Sequence, residues 1–403
     1  MIGEARSRRR VGMKIESVET LQADGGWRNV CFVKIATDGG LVGWSEYGEH
    51  YGTAGVSAVI HALGELVVGK DPGAVEQIAA LLRGRTIQAQ GGVNQNAIAA
   101  LLNALLDIKA KALGIPVHAL LGGALRDRVP VYWSHIGTFR VRHAGLLGRP
   151  PLKTFDDWAK LGEEARARGY RAVKTGLVAE THGGFANVGP GYALTPGYPA
   201  LNLDRTLLGT LDRQLAALRA GLGPDAELML DVNFHVKTEG VLEIVRALEP
   251  HRLAWLEVDV YNPAALARIR SAARFPIASL EALYGRIGLK PFLDAGAADV
   301  AVIDLMWNGY LEAFRMAALA ETYDVNVSTH NYCGGGLSDV ISAHFGAAIP
   351  NLRAVEYDPE DVPWKPEFLT APVSVEDGHI IVPQGPGWGV EVNEDFVRAH
   401  PPR

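Results

Sequence analysis

At 403 residues the chain exceeds a single (β/α) barrel of about 250 residues and leaves about 150 for a second domain. An apolar fraction of 48 % suits buried cores, and a formal net charge of −6 gives no reason to expect a nucleic-acid partner. No apolar run is long enough to read as a membrane span, and Cys31 and Cys333, far apart and in no spaced motif, read as free thiols of a reducing cytoplasm.

In chain order, Arg6, Arg8, Arg9 and Arg10 form the one basic run. The arginines look like a twin-arginine signal, but the MKIESVETLQ that follows alternates and supplies no apolar signal core, so a solvated terminus is expected, with Met13 as a candidate start. Residues 14–21, 30–37 and 41–46 read as strands, the last two joined by the hairpin signal Asp38-Gly39-Gly40. Helical spacing follows at 54–69, 74–84 and 95–113, the last closed by Gly114 and Pro116, which gives an α+β lobe over 1–128. From Val129 strands and helices alternate through VPVYWSHI, a helix at 155–168, YRAVKTGLV and a helix at 204–221, the pattern of a parallel barrel over 129–365. The polar, Gly/Pro-rich stretch between Val178 and Asp204 is too long for an ordinary connection and reads as a loop over the barrel mouth. In the tail, 366–403, the segments VSVEDGHIIVP and PGWGVEVN are expected to return and finish the first lobe.

Asp231, Glu257 and Glu281 each sit at the polar end of a short apolar run (ELMLDVN, LAWLEVD, FPIASLE), at intervals of 26 and 24 residues, one strand plus one helix. The same period continues through Asp304, His330 and Glu356 at steps of 23, 26 and 26. If each run is a parallel strand, all six side chains aim into the mouth where barrel active sites lie. Three acids crowded in a poorly solvated site are costly unless a cation neutralises them. All-oxygen ligation without cysteine or paired histidines favours a hard divalent ion, Mg²⁺ before Mn²⁺ or Ca²⁺. Cys333 lies close to His330, but no base is indicated that would make it a nucleophile.

The segments ALLNALLDIKAKALGIPVHALLGG, YRAVKTG, LMLDVN, AWLEVD, SLE, IDLMWNG, STHNY and VEY, in that order, resemble the enolase superfamily in its mandelate racemase and muconate-lactonizing branch. The likeness spans nearly the whole chain. It implies a modified TIM (β/α) barrel closed by an α+β capping domain built from the N-terminal segment and the tail, a small-molecule carboxylate substrate, and a homo-oligomer. It also implies Mg²⁺-assisted removal of the proton α to that carboxylate, giving an enediolate. Residue by residue, the resemblance makes Asp231, Glu257 and Glu281 the metal ligands and His330 with Asp304 the paired base. Glu356 corresponds to the acid that hydrogen-bonds the substrate carboxylate, and Asn233 to a contact with substrate or metal water.

The chain departs from the racemase pattern at Lys174-Thr175-Gly176, where racemizing members carry Lys-x-Lys with the second lysine as base. Lys174 then reads as an electrostatic group, and His235, four residues after Asp231, as the replacement acid or base. A second departure is Glu257-Val258-Asp259 in place of Glu-Glu-Pro. One base on one face suffices for dehydration of a sugar acid, aldonate or aldarate, to a 2-keto-3-deoxy acid. In that reaction His330 takes the C2 proton, and its conjugate acid or His235 protonates the C3 hydroxyl. The alternatives are a racemase, epimerase or cycloisomerase using the same intermediate, and a non-catalytic sugar-acid binder. Cap loops near Trp27 and Arg28 and near Glu49, His50 and Tyr51 are expected to choose the distal end of a polar, hydroxylated substrate.

Overall fold

The structure, a computed structural model, describes residues 12–188, 203, 205–332 and 334–402, with Tyr51 described in its backbone only. Expectations placed on Arg6 to Arg10, Cys333, the Tyr51 side chain and most of the stretch after Asn187 lie outside the described residues. Cys31 is a buried free thiol whose pKa burial pushes well up, so it is no nucleophile.

The first lobe begins as an antiparallel meander of β1 (Ile15–Asp24), β2 (Asn29–Thr37) and β3 (Val42–Tyr47). Three helices back it: α1 (Val56–Val67), α2 (Val75–Arg85) and α3 (Gly92–Leu113). Gly114 caps α3 in the left-handed conformation that a side chain would resist. Buried side chains surround α3 on nearly all sides because it lies between the meander and the second domain. Its approach to β3 is so close that a Cβ on Gly43 would stand 2.1 Å from the Ala104 carbonyl oxygen, which only glycine permits.

The second domain is a closed barrel. Its strands are β4 (Arg128–Trp133) and β5 (Ala172–Gly176), then, after an outlying hairpin of β6 (Val178–Thr181) and β7 (Gly184–Asn187), β8 (Glu227–Asp231), β9 (Trp255–Glu257), β10 (Ile277–Ser279), β11 (Val300–Asp304), β12 (Asn326–His330) and β13 (Leu352–Tyr357). Barrel neighbours are parallel in chain order, and β13 pairs back onto β4. The connecting helices are α4 (Thr138–Leu147), α5 (Phe155–Ala167), α6 (Arg205–Leu222), α7 (Thr238–Leu248), α8 (Pro263–Ala272), α9 (Gly285–Asp294), the single turn α10 (Leu305–Asn308), α11 (Tyr310–Glu321) and α12 (Leu337–Ala348). Instead of an eighth outer helix, a tail of β14 (Val375–Glu376), β15 (His379–Ile381) and α13 (Glu394–Ala399) follows β13. This is a modified TIM barrel with a capping domain, as the sequence implies. Among the described residues no helix is long and apolar enough to cross a membrane.

The tail corrects one expectation. VSVEDGHIIVP forms the β14–β15 hairpin, but β15 pairs antiparallel with β4, His379 opposite Pro130 and Ile381 opposite Arg128, rather than with the first lobe. The reason is an edge. β4 meets β13 only from Val131 onward, so the backbone of Arg128 to Pro130 is open to a partner. Beyond the hairpin the tail does reach the first lobe, through ion pairs of Lys34 with Glu394 (2.6 Å) and Arg398 with Glu19 (2.6 Å).

Asp107 of α3 joins the two parts. It is fully buried, accepts from the backbone amides of Trp44 (2.9 Å) and Trp388 (2.9 Å), and pairs with Lys111 at 2.7 Å. Asp107→Ala would strand both buried amides and take one of two carboxylates from the Lys111 ammonium, which keeps Glu391 and the Val42 carbonyl. A destabilisation of about 3 kcal/mol is therefore expected from urea unfolding midpoints at constant m. A midpoint equal to wild type would show that the tail is held by apolar packing alone.

Candidate active site

Strand periodicity builds the site in two layers. Tyr132, Ala172, Met229, Trp255, Val302 and Ala354 fill the barrel interior as one packed cluster. Two residues further along the same strands, hence on the same inward face, stand Ser134, Lys174, Asp231, Glu257, Asp304 and Glu356. The apolar layer seals the floor and the polar layer faces the mouth. Glu281 is out of this phase. Leu280 before it takes φ +93°, a strained value for a leucine, and its amide is held by Asp259 at 3.2 Å, a kink that ends β10 just before the acid.

Lys174 is the hub. Its ammonium, 2 % exposed, lies 3.0 Å from Glu257, 3.0 Å from Glu356 and 3.5 Å from Asp231. Burial alone would favour a neutral amine, but the carboxylates outweigh it and push the Lys174 pKa well up. Glu356 also accepts from the Ser134 hydroxyl (2.5 Å) and the Asn331 amide (2.6 Å). Despite burial, Lys174 and its other cationic and hydrogen-bonding neighbours hold its carboxyl far below the usual range.

Glu257 is fully buried, and Trp255 and Lys174 both donate to its Oε2, at 3.1 and 3.0 Å. Its Oε1 has no partner, and burial with nearby Asp231 and Glu356 pushes the carboxyl up to about 7 against the pull of Lys174. Glu281 is pushed well up by burial and by Asp259, Glu257 and Asp231, with His330 opposing. Asn233, with φ +52°, turns its amide onto Asp231 (2.8 Å) and leaves its side-chain oxygen unpaired. Among the described residues no three acids close on one point as a ready-made cluster. Buried oxygens of Glu257, Asp259 and Asn233 nevertheless remain without a partner, and they are hard donors of the type Mg²⁺ takes.

His330 and Asp304 stand side by side. His330 Nδ1 lies 2.6 Å from Asp304 Oδ2, while Asp304 Oδ1 caps α10 by accepting from the amides of Met306 (2.6 Å) and Trp307 (2.8 Å). His330 Nε2 is 3.5 Å from Glu281, and Trp307 covers the ring at 4.9 Å. Burial would lower the imidazole pKa, but Glu281 and Asp304 together raise it well above the ordinary value. Beside the dyad a cleft runs between cap and barrel, lined by Asn29, Glu46 and His50 from the first lobe and by Asp304, Trp307, Asn331 and Tyr332 from the second. Burial, then the Arg28 charge, push His50 down to about 4, so it enters the cleft neutral.

The remaining expected residues are placed differently. Arg28 grips Asp361 through two nitrogens (2.7 and 2.6 Å) and the Gly334 carbonyl (3.1 Å), tying the cap to loops at the barrel mouth, and Trp27 stacks on His143 at 4.4 Å. His235 is buried on the turn after β8, its ring edge-on to Phe234. Sequence reasoning passed over Ser134, His135, Asn331 and Tyr332. The signal for Ser134 was its place at the end of VPVYW, in phase with the later strand ends.

Residues 157–396 match the model of the Enolase C-terminal domain-like family, and residues 8–122 that of the Mandelate racemase / muconate lactonizing enzyme, N-terminal domain. The chain belongs to the mandelate racemase and muconate-lactonizing branch of the enolase superfamily. It is therefore an enzyme of a branch whose relatives are lyases and isomerases. A D-galactarolactone cycloisomerase of Agrobacterium fabrum is 30 % identical over 91 % of this chain and 89 % of its own length. A D-galactonate dehydratase of Pectobacterium atrosepticum is 29 % identical over 96 % of this chain and 94 % of its own. A solved structure from Burkholderia xenovorans strain LB400, provisionally named an L-alanine-DL-glutamate epimerase and bound to magnesium and fumarate, is 46 % identical. It superposes with a TM-score of 0.94 over 97 % of this chain and 96 % of its own.

Proposed function

We propose that this branch member removes the proton α to the carboxylate of a sugar acid and expels the C3 hydroxyl, converting an aldonate or aldarate to its 2-keto-3-deoxy acid. The observation that carries this reading is an asymmetric site. His330, backed by Asp304 at 2.6 Å, stands on one side as the candidate base, while Lys174 lies 3.0 Å from each of Glu257 and Glu356 and position 176 is a glycine with no amine to offer. Asp231, Glu257 and Glu281 would hold Mg²⁺, which when bound supplies the positive charge that stabilises a doubly charged substrate carboxylate. Lys174 and Glu356, locked together at 3.0 Å, then fix the carboxylate end, and His330 takes the C2 proton at Nε2. The D-galactonate dehydratases among the relatives support the dehydration, and the magnesium and fumarate in the Burkholderia structure support a metal-dependent carboxylate site.

The cycloisomerase relative favours one second reading, isomerisation through the same intermediate. A panel of aldonic and aldaric acids incubated with the enzyme and Mg²⁺ in D₂O separates the two. Dehydration should give a 2-keto acid with solvent deuterium at C3, and chelation of Mg²⁺ should lower the rate by about 10²-fold or more. Epimerised or lactone-derived acid labelled at the α-carbon, without keto acid, would replace the dehydratase reading with the isomerase one.

A further inference from the structure

His135 forms a second histidine–aspartate pair at the barrel mouth, one that neither the metal ligands nor the His330 dyad uses. Its Nδ1 lies 3.0 and 3.1 Å from the two oxygens of Asp358 and 3.1 Å from the Ser134 hydroxyl. Among the described residues no hydrogen bond is made at Nε2, and the side chain is 21 % exposed.

The backbone is bent to make this arrangement. His135 has φ +50°, a left-handed value that is strained for a non-glycine residue, and strain of this kind gathers at functional sites. Hydrogen bonds on both sides hold it there. Ser134 N donates to the Tyr357 carbonyl and Ile136 N to the Lys174 carbonyl, while the His135 carbonyl accepts from Thr138 Oγ1 at 3.0 Å. The ring stacks flat on Phe139, 4.6 Å away at 4°, so its direction is fixed. Its other neighbour is Tyr332, at 5.1 Å, the ring that also contacts His330 (6.4 Å) and His50 (5.8 Å). Through Ser134, which bonds Glu356, His135 is also one hydroxyl away from the Lys174–Glu356 ion pair. Burial alone would lower its pKa, but Asp358, with Glu356 adding and Lys174 opposing, raises it.

We propose that His135, oriented by Asp358, is the general acid that delivers its Nε2 proton to the departing C3 hydroxyl. This assignment rests on the dehydratase reading above. In the step, the C2–H bond breaks to His330, the electron pair forms C2=C3, and the C3–O bond breaks. The leaving oxygen takes the His135 proton and departs as water. The enol tautomerises to the 2-keto acid, His330 returns its proton to solvent and His135 regains one, so the net change is loss of one water. Asp358 is a positioning residue that keeps the proton on the ring.

The test uses the acid that the wild-type enzyme dehydrates fastest in the panel above, and its 3-deoxy-3-fluoro analogue, whose fluoride leaves without needing a proton. Asparagine is the replacement of choice because it tolerates a left-handed backbone. His135→Asn should lower kcat for dehydration about 10²- to 10³-fold. Exchange of the C2 proton in D₂O, and fluoride release, should stay within about threefold of wild type on the same general-acid argument. Retained exchange also certifies the fold. Asp358→Asn should move the high-pH limb of kcat to lower pH, since the carboxylate that holds the proton is gone, a shift that a merely structural role would not produce. Dehydration by His135→Asn at the wild-type rate, or the same split seen in His235→Asn instead, would overturn the assignment. If the wild-type enzyme dehydrates no acid in the panel, the dehydratase reading fails and this assignment fails with it.

Discussion

Replacing His330 with asparagine should lower exchange of the substrate α-proton with solvent deuterium by about 10³-fold, the range by which a positioned base accelerates proton transfer. The imidazole is 8 % exposed, and its Nδ1 is committed to Asp304, so no other orientation presents a basic nitrogen to the substrate. The variant should fold. Asp304 keeps its two bonds to the amides of Met306 and Trp307, and asparagine can bond its remaining oxygen. Proton NMR of the C2 signal in D₂O, with Mg²⁺ and an excess of acid, reads the effect directly. Exchange that survives in His330→Asn yet vanishes in Lys174→Ala would reverse the direction of proton abstraction.

The dyad and the acids were legible because a parallel barrel imposes two periods at once. One strand plus one helix repeats every 23 to 26 residues from Asp231 to Glu356, and within each strand the alternation puts the last inward residue at the mouth. What the sequence could not carry is which strand ends touch. YRAVKTG reads as a strand with a lysine, but the ion pairs of Lys174 with Glu257 and Glu356 span 83 and 182 residues and follow from barrel closure alone. Burial of Glu257 was hidden for the same reason. The β14–β15 hairpin was legible as strands but not as partners of β4, since alternation names a face and never a neighbour. The helix α4 escaped notice because TFRVRHAGLL lacks a clear apolar stripe and kinks at His143. His135 escaped because a left-handed backbone at a residue other than glycine leaves no mark in the sequence.

The second large effect follows from the buried charge at Lys174. In Lys174→Met the ammonium within 3.5 Å of Asp231, Glu257 and Glu356 is replaced by an apolar chain of similar length, leaving carboxylates in a site where Glu257 is fully buried. Breaking a buried ion cluster by removing one sign costs about 3–5 kcal/mol, and that loss is expected in urea unfolding of the metal-free variant at pH 8. Two conditions should restore stability. Saturating Mg²⁺ binds the folded variant alone and supplies the missing positive charge. Acid should do so too, and the sign can be worked out. Glu257 already stands at about 7 in the folded wild type, above its ordinary value of 4.5, and loss of Lys174 raises it further. The folded variant then holds a proton that the unfolded chain has lost, so its stability rises as pH falls through that folded value toward 4.5. Exchange of the α-proton should fall less than in His330→Asn, because the base is intact. A metal-free Lys174→Met as stable at pH 8 as wild type, with no response to Mg²⁺, would mean that the acids are already neutral and that the strand ends do not form a cation site.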